Sequence, residues 1–415
     1  MSEINFDPYQ ARYASRTRGM TASEIRALFA VAERPEIAFL AGGMPFTAAL
    51  DYDAVAEVTN RVIADMGPWA LQYGGGQGMA ELREQLVGVM AAEGMAAHAD
   101  DLVVTTGGQQ GLDLVAKLFC DPGDLLVAEG PSYVGALGTF ASYQADVAHV
   151  PMDDEGLIPE ALEEVLSRLG GAGRLPKFLY TIPNHQNPAG SSLSVDRRTR
   201  VVELAEQYDL MIVEDNPYGL LDFKGEIRPS LLSLAPERVI YVGTLSKIFS
   251  PGLRVGWVAA TESVRDKLVL LKEAADLCQS NLTQAIAQQW FATQPWLEQV
   301  ATFREVYRER CEAMLGELAA SFPAGCSWTV PTGGFFVWLQ LPEGLDSRQL
   351  LAKALRARVA YVPGAAFYAD GGGARELRLS FCFPPPERIR EGVRRLAEVV
   401  ADEIEFAHAL FGDRP

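Results

Sequence analysis

Four polar side chains near residue 250 are the most chemically suggestive group in this sequence. Lys247 lies in the run Gly243–Trp257 with the hydroxyls of Thr244 and Ser246 and the guanidinium of Arg254. The hydroxyls and the guanidinium can bind a phosphate dianion, and a partly desolvated lysine can condense with an aldehyde as a Schiff base. The group therefore predicts a site for a phosphate-bearing aldehyde. The alternative is a surface lysine in a turn rich in serine and threonine.

The lysine run has a long pattern, Ser-Lys-x-x-x-Pro-Gly-Leu-Arg-x-Gly-Trp. It resembles the lysine segment of the fold-type I pyridoxal-phosphate aminotransferases, in the branch that contains the 2-aminoadipate, kynurenine and aromatic aminotransferases. The resemblance extends over nearly the whole chain, from about Thr21 to Phe383. It implies that pyridoxal 5'-phosphate is the cofactor and that it forms an aldimine with Lys247.

Charge and composition argue against several classes of partner. The chain has 415 residues, of which 36 are basic and 54 acidic, and its formal charge of −18 opposes binding to nucleic acid or to anionic membranes. The five cysteines and four histidines lack the spacing of a disulfide framework or a metal site. There is no signal-peptide pattern and no run of about 18 apolar residues. We therefore expect a soluble cytoplasmic protein that binds small molecules and no metal.

Buried-strand patterns alternate with helical patterns through the middle of the chain. The predicted strands are Leu102–Thr106, Leu125–Glu129, Phe178–Ile182, Leu210–Glu214, Val239–Val242 and Val255–Ala260, and the predicted helices between them include Gly111–Cys120 and Asp196–Tyr208. These strands lack polar alternation, which is typical of a mostly parallel sheet covered on both faces. Nearer the C-terminus, an alternating strand is predicted over Phe335–Leu341 and a final helix from about Pro386.

These patterns predict an α/β fold with two domains, as in a fold-type I pyridoxal-phosphate transferase. Residues 1–50 would form an N-terminal arm and part of the small domain. Residues 51–300 would form the large, doubly wound cofactor-binding domain, and residues 301–415 the small C-terminal domain.

The segment Thr105–Leu112 follows a predicted strand and opens a helix, where ligands bind in open parallel sheets. The backbone N–H groups and helix dipole around Gly107, Gly108 and Gln109 would bind the cofactor's phosphate. The alternative is a plain turn into a helix. The family usually has a serine where this chain has Gly108, so one hydroxyl contact to the phosphate is missing.

Two further turns carry residues that match the family. Tyr133 corresponds to the aromatic residue that stacks on the pyridine ring, and a tyrosine packed on a surface turn is the alternative. Asn187 corresponds to the asparagine that donates a hydrogen bond to the cofactor's phenolate oxygen. Ala189 replaces the threonine that the family carries in the same turn.

Asp215 follows a strongly apolar predicted strand. A buried carboxylate needs a cationic partner, and in the family the matching residue pairs with the pyridinium nitrogen. A helix N-cap is the alternative. Tyr218 can reach the phenolate oxygen from the other side. Asn216 stands where the family usually has a second acid, and the sequence does not explain the change.

Five residues belong to the substrate side or to a partner subunit. Arg378, on an apolar predicted strand, matches the family's arginine for the substrate α-carboxylate. Gly43 and Asn187 would also contact the substrate, although an ordinary loop at Gly43 is the alternative. Arg26 matches an arginine that can pair with a distal carboxylate, and a solvated helix arginine is the alternative. Tyr73 matches a tyrosine that reaches the neighbouring subunit's phosphate, which implies a homodimer with a shared active site.

The resemblance implies an aminotransferase that moves an α-amino group from an amino acid to a 2-oxo acid, with Lys247 as general base and acid. Two alternatives stay open. One is a pyridoxal-phosphate oxidase, lyase or decarboxylase of a free amino acid on the same fold. The other is a regulator with an aminotransferase-like domain. The acidic charge and the start of the chain at the aminotransferase arm argue against a regulator.

Overall fold

The centre of the molecule is a mostly parallel sheet of eight strands. The computed structural model describes residues 7–17, 28 and 34–411. In spatial order the strands are β2 (Leu102–Thr105), β9 (Gly256–Ala259), β8 (Val239–Thr244), β7 (Met211–Asp215), β6 (Phe178–Thr181), β3 (Leu125–Gly130), β4 (Asp146–Asp153) and β5 (Gly156–Leu157). Strands β8, β7, β6, β3 and β4 are parallel to one another, β9 is antiparallel to both β2 and β8, and β5 is antiparallel to β4. The predicted α/β fold is confirmed.

Each predicted strand in this sheet is present, with ends that shift by no more than a residue or two. Strand β4 escaped prediction because polar residues interrupt it, among them Asp146, His149 and Asp153, and most of its residues are only partly buried. The next two strands in the sheet, β3 and β6, are apolar and almost wholly buried, so that their pattern is clear in the sequence.

Helices follow most of the strands. They are α1 (Tyr52–Ala70), α2 (Ala80–Ala92), α3 (Gly108–Phe119), α4 (Val134–Ser142), α5 (Pro159–Gly171), α6 (Val195–Gln207), α7 (Leu231–Leu234), α8 (Glu262–Asp276) and α9 (Asn281–Thr293). Alternate strand residues enter two different hydrophobic clusters: Leu126 and Val213 pack with α3, whereas Val127 and Ile212 pack with α5 and α6. Both faces of the sheet are therefore covered.

A smaller unit follows the long helix α10 (Trp296–Ser321). It contains a four-stranded antiparallel sheet in the order β10 (Ser327–Trp328), β11 (Phe336–Gln340), β14 (Glu376–Ser380) and β13 (Val362–Pro363). Helices α11 (Ser347–Arg356) and α12 (Pro386–Phe411) complete it. The prediction of an alternating strand over Phe335–Leu341 was wrong in one respect, since β11 is buried on both faces.

The segment before residue 50 joins this smaller unit. Strand β1 (Ala38–Phe39) pairs in parallel with β12 (Val359–Ala360). Ser380 N also donates a hydrogen bond to Leu40 O at 2.8 Å. The residues that follow β1 are thereby held beside the inner end of β14, next to the large sheet.

Within the described residues, we find no helix that combines the length and the apolar character needed to cross a membrane.

Candidate active site

The predicted site residues meet at one cavity of about 380 Å³, where the parallel strands end. Strands β7 and β8 end at Asp215 and Thr244, and the segments after β3 and β6 bring in Tyr133 and Asn187. The predicted residues that line the cavity are Gly43, Gly108, Gln109, Tyr133, Asn187, Asp215, Tyr218, Thr244, Ser246, Lys247, Arg254 and Arg378. Residues separated by more than 300 positions in sequence are therefore neighbours.

Lys247 lies in this cavity and is not a surface lysine. Its Nζ donates a hydrogen bond to Gly43 O at 3.0 Å and lies 5.4 Å from the centre of the Phe335 ring. The pKa of Lys247 is lowered to about 8, mainly by burial; the positive charges of Arg378 and Arg254 also lower it, whereas Cys382 and Asp215 raise it. A substantial fraction of this amine is therefore uncharged, and so nucleophilic, in slightly alkaline solution.

Asp215 is a buried carboxylate that lacks an ion pair. Its side chain accepts a hydrogen bond from Tyr180 Oη at 2.7 Å, and no Lys, Arg or His nitrogen within the described ranges lies within 4.0 Å of it. Burial raises the pKa of Asp215 to about 7, whereas the Tyr180 hydrogen bond lowers it. A cationic ligand would compensate the free-energy cost of burying the ionised carboxylate. Asp215 does not cap a helix, because the next helix, α7, has Ser230 as its cap.

Sequence analysis missed Tyr180. It lies on β6 and is completely buried, so that in sequence it is one more apolar strand residue. Its position beside Asp215 follows from the pairing of β6 with β7, in which Tyr180 is opposite Val213. A buried tyrosine on the strand next to a buried acid was the available signal.

Oxygen and nitrogen donors suited to a phosphate gather at another part of the cavity wall. Thr244 Oγ1 donates to Ser246 Oγ at 2.9 Å, and Arg254 Nη2 donates to Thr106 O at 3.2 Å. Gly107 precedes α3 with φ of 76°, and a Cβ added there would lie 2.4 Å from Arg254 Nη2. Glycine at position 107 therefore makes room for the guanidinium beside the helix N-terminus, an arrangement that suits an anion.

Tyr133 and Gln109 are held together at the cavity wall. Tyr133 Oη donates to Gln109 Oε1 at 3.2 Å, and Gln109 Nε2 donates to Thr139 Oγ1 at 2.7 Å. Tyr218 packs edge-on against Phe335 with ring centres 5.2 Å apart. Each ring is therefore fixed in orientation at the cavity.

Arg378 is a buried cation that has no carboxylate partner within the described ranges. Its Nη1 donates to Asn187 Oδ1 at 2.8 Å and its Nη2 to Ala41 O at 2.6 Å, while its buried Nε has no hydrogen-bond partner. The guanidinium carbon lies 4.1 Å from the centre of the Phe336 ring. Burial lowers the pKa of Arg378 to about 10, so it stays charged at neutral pH. This arrangement favours binding of an anion.

Among the described residues, two of the predicted ones, Gly107 and Tyr73, do not line the cavity. Gly107 lies against Arg254, as described above. Tyr73 is 76% exposed, on the segment between α1 and α2. Arg26 lies outside the described residues.

Two departures from the family pattern have different surroundings. A Cβ added at Gly108 would meet Val242 at 3.6 Å and Thr244 at 3.7 Å, which are ordinary contacts. There is therefore space for a small side chain at position 108. Ala189 is buried, and its backbone N donates to Gln186 Oε1 at 2.7 Å. Nothing in the structure explains why alanine rather than threonine stands there.

These groups fit pyridoxal phosphate. Its phosphate suits the hydroxyls of Thr244 and Ser246, with Arg254 and the α3 N-terminus. Its cationic ring nitrogen suits the unpaired Asp215, and its aldehyde suits the amine of Lys247. The unpaired Arg378 remains for a second anion.

Comparison with known proteins identifies the family of this chain. The family described as "Aminotransferase class I and II" matches residues 36–396. The chain is 41% identical over 404 residues to aromatic-amino-acid aminotransferase 1 of Thermococcus litoralis, covering 96% of each chain. It is 40% identical over 384 residues to 2-aminoadipate transaminase of Thermus thermophilus, covering 91% of this chain and 94% of that one.

Comparison with solved structures indicates the same family. The crystal structure of a Pyrococcus horikoshii kynurenine aminotransferase matches with a TM-score of 0.92 at 37% identity, over 96% of this chain and 98% of that one. The predicted fold type and enzyme class are confirmed. This chain is an enzyme that transfers amino groups, and it belongs to the class I and II aminotransferase family.

Proposed function

We propose that this enzyme moves the α-amino group of an aromatic or dicarboxylic amino acid to a 2-oxo acid, with Lys247, Asp215 and Arg378 as its central residues. The observation that carries the proposal is a single cavity that contains an amine of lowered pKa, an unpaired buried carboxylate and an unpaired buried guanidinium. The substrate class rests on the similar enzymes, which are named for aromatic amino acids, 2-aminoadipate and kynurenine.

The cofactor is pyridoxal 5'-phosphate, and the similar P. horikoshii structure is a complex with PMP. When bound, it supplies a protonated ring that withdraws electrons from the α-carbon of the amino acid. Asp215 would hold the ring nitrogen in its protonated form, and Tyr133 would cover one ring face. Asn187 and Tyr218 would face the ring hydroxyl. Gly108 and Gln109, at the α3 N-terminus, would face the phosphate with the hydroxyls and Arg254.

Lys247 would move the proton. Its neutral Nζ takes the α-proton of the amino acid and returns a proton on the other side of the transfer, as general base and then general acid. A pKa of about 8 in the cavity allows both forms near neutral pH. The hydrogen bond to Gly43 O orients the amine when it is free.

Arg378 would bind the α-carboxylate that every amino acid presents. The Asn187 and Ala41 acceptors fix two of its nitrogens, and the rings of Phe336 and Phe367 lie 4.1 Å and 5.0 Å from its guanidinium carbon. A fixed, poorly solvated guanidinium binds a carboxylate more strongly than one that is free in water.

We propose further that the enzyme is a cytoplasmic homodimer used in amino acid metabolism. All five cysteines are unpaired, which agrees with a reducing compartment. Exposed apolar side chains near Tyr73 include Trp69 and Leu71. Such residues are typical of a surface that another subunit covers. Tyr73 would reach the phosphate site of the partner subunit.

The experiment that tests the function follows amino groups through two half-reactions. Purified enzyme is titrated with each of the twenty amino acids while the visible absorbance of its cofactor is recorded. The 2-oxo acid released is then quantified by mass spectrometry. After removal of the first product, addition of a different 2-oxo acid should restore the starting spectrum and yield a new amino acid. Release of ammonia, carbon dioxide or hydrogen peroxide without this second step would instead support a lyase, decarboxylase or oxidase.

A further inference from the structure

Glu93 and Asn216 form a buried acid–amide pair behind the cavity. Asn216 Nδ2 donates to Glu93 Oε2 at 3.1 Å, and Tyr241 Oη donates to the same oxygen at 2.6 Å. Each of these three side chains is at least nine-tenths buried. Glu93 is the C-cap residue that follows α2, Tyr241 lies on β8, and Asn216 follows β7. The three side chains therefore connect the end of α2 to two strands of the large sheet.

The other side of Asn216 is fixed as well. Its Oδ1 accepts from Asn184 Nδ2 at 3.0 Å, and Asn184 Oδ1 accepts from the fully buried Arg198 at 2.6 Å. The amide of Asn216 therefore donates towards the acid and accepts from the opposite side. A carboxylate at position 216 could accept from Asn184 but could not donate to Glu93.

Asn216 lies between two residues of the cavity wall, Asp215 and Pro217. The backbone after it is also close to the pair: a Cβ added at Gly219 would lie 2.6 Å from Asn216 Nδ2 and 3.0 Å from Glu93 Oε1. The segment that carries Asp215 and Tyr218 therefore packs closely against the acid–amide pair.

We propose that Glu93 is a positioning residue, which acts through Asn216 to fix Asp215 against the cofactor. This inference rests on the proposed function of Asp215. It also explains the departure at position 216: the acid of this buried pair stands at the end of α2, and the amide stands next to Asp215. The pair needs one acid and one amide, since two buried carboxyl groups in contact could not both be ionised.

The electrostatic surroundings support this requirement. Burial raises the pKa of Glu93 to about 8, hydrogen bonds from Tyr241 and Asn216 lower it, and the nearby Glu214 raises it. Burial therefore disfavours even one negative charge in this pair, and an acid at position 216 would add a second carboxyl group that is costly to ionise there.

The test is an exchange of the two groups. Asn216→Asp places two acids in contact, whereas the double variant Glu93→Gln, Asn216→Asp restores one acid and one amide in reversed order. Glu93→Gln alone keeps an acceptor for Tyr241 and Asn216. Glu84→Gln, on the exposed face of the same helix, is the matched control. For each protein we would measure the thermal midpoint of the apoprotein, the Kd for pyridoxal phosphate, and the kcat and KM.

We expect Asn216→Asp to raise the Kd for pyridoxal phosphate and to lower kcat, each about tenfold, and the double variant to recover most of both losses. Glu93→Ala, which removes the acceptor, should lose about as much as Asn216→Asp, whereas Glu93→Gln, which keeps an acceptor, and the control Glu84→Gln should each stay within about threefold of wild type. Failure of the double variant to improve on Asn216→Asp would overturn the pairing. The pair would have a purely structural role if Asn216→Asp lowered the thermal midpoint, and the double variant restored it, while Asn216→Asp kept the wild-type Kd and kcat. This outcome would overturn the positioning role. A wild-type protein that binds no pyridoxal phosphate would overturn the proposed function instead, and with it the positioning role, while the apoprotein midpoints would still decide the pairing.

Discussion

At the level of single residues, the chemistry depends on how far burial shifts the pKa of Lys247 and Asp215. Lysine free in water has a pKa of 10.5, and its depression to about 8 in the cavity makes the neutral amine accessible. The carboxylate shifts in the other direction, to about 7. Both groups are therefore costly to bury in charged form in the apoprotein, and each would gain a partner when the cofactor binds.

Lys247→Ala should still bind pyridoxal phosphate through Asp215, Arg254 and the α3 N-terminus, but proton transfer should fall by about 10²- to 10⁴-fold. The measurement is exchange of the amino acid α-proton with deuterated water. Added methylamine should recover part of the rate. Borohydride reduction of wild type, followed by peptide mapping, should place a pyridoxyl group on Lys247.

Lys267→Ala, on the exposed side of α8, is the control and should behave as wild type. Transamination at a normal rate by the Lys247 variant would show that another group is the base.

The two substrate arginines should differ in what they discriminate. Arg378→Ala should lower kcat/KM for all amino acids, because each presents the same α-carboxylate. Arg26→Ala should lower kcat/KM only for dicarboxylic amino acids, by about ten- to hundredfold, the value of one lost guanidinium–carboxylate contact. The comparison of 2-aminoadipate with leucine measures this. Equal losses for both substrates in the Arg26 variant would contradict the side-chain role of Arg26 and leave the role of Arg378 untouched.

At the level of elements, the phosphate site depends on where α3 begins. The sequence predicted that helix from Gly111, and it begins at Gly108. The first turn, which faces the cavity, is thus made of residues whose helical character the sequence does not reveal, since glycine is a poor helix former.

Gly108→Ser should tighten pyridoxal-phosphate binding about three- to tenfold. The site has room for the Cβ, and the backbone there is not left-handed, so the hydroxyl adds a phosphate contact without strain. The Kd is measured by absorbance titration of the apoprotein. Gly108→Ala is the matched control, because it adds the Cβ and the helix propensity without the hydroxyl. Equal effects of serine and alanine would assign the gain to the helix alone.

The sequence was most informative at strand ends. Lys247, Asp215, Asn187 and Tyr133 follow apolar runs and fall in short motifs, so their gathering at one edge of the sheet could be predicted. Tyr180 and Glu93 carry no motif, because their roles arise from packing between elements, and Glu93 contacts a residue 123 positions away. Strand β4 escaped prediction for a related reason, since its polar residues give no apolar run.

At the level of the whole molecule, the buried Asp215 should make the apoprotein less stable as pH rises. Folding raises the pKa of Asp215 from 3.8 to about 7, so the folded apoprotein holds a proton there that the unfolded chain has lost. This group's contribution to stability is therefore present below pH 4, declines between pH 4 and 7, and is fully lost above pH 7.

Asp215→Asn removes this titration. The free energy of unfolding of the apo variant minus that of apo wild type should rise by about 2 kcal/mol between pH 5.5 and 8. Urea denaturation at each pH provides the measurement. A constant difference would mean that Asp215 keeps an ordinary pKa in the folded apoprotein.

A shared active site can be tested by mixing inactive variants. If Tyr73 serves the partner's phosphate site, a heterodimer of Tyr73→Phe and Lys247→Ala contains one site with both defects and one site with neither. Mixing the two denatured proteins and refolding them together should then recover activity and phosphate affinity in a fraction of sites. If Tyr73 acts within its own subunit, every site in the heterodimer keeps one defect, and mixing recovers nothing.

The hydrogen bond from Lys247 Nζ to Gly43 O joins two segments that are distant in sequence. Gly43 follows β1, which is paired with β12 of the smaller unit, whereas Lys247 follows β8 of the large sheet. The free amine therefore joins the segment that follows β8 to the segment that follows β1. Condensation of the amine with an aldehyde would remove N–H donors from Lys247 Nζ, so we expect this hydrogen bond between the two segments to break when the cofactor binds.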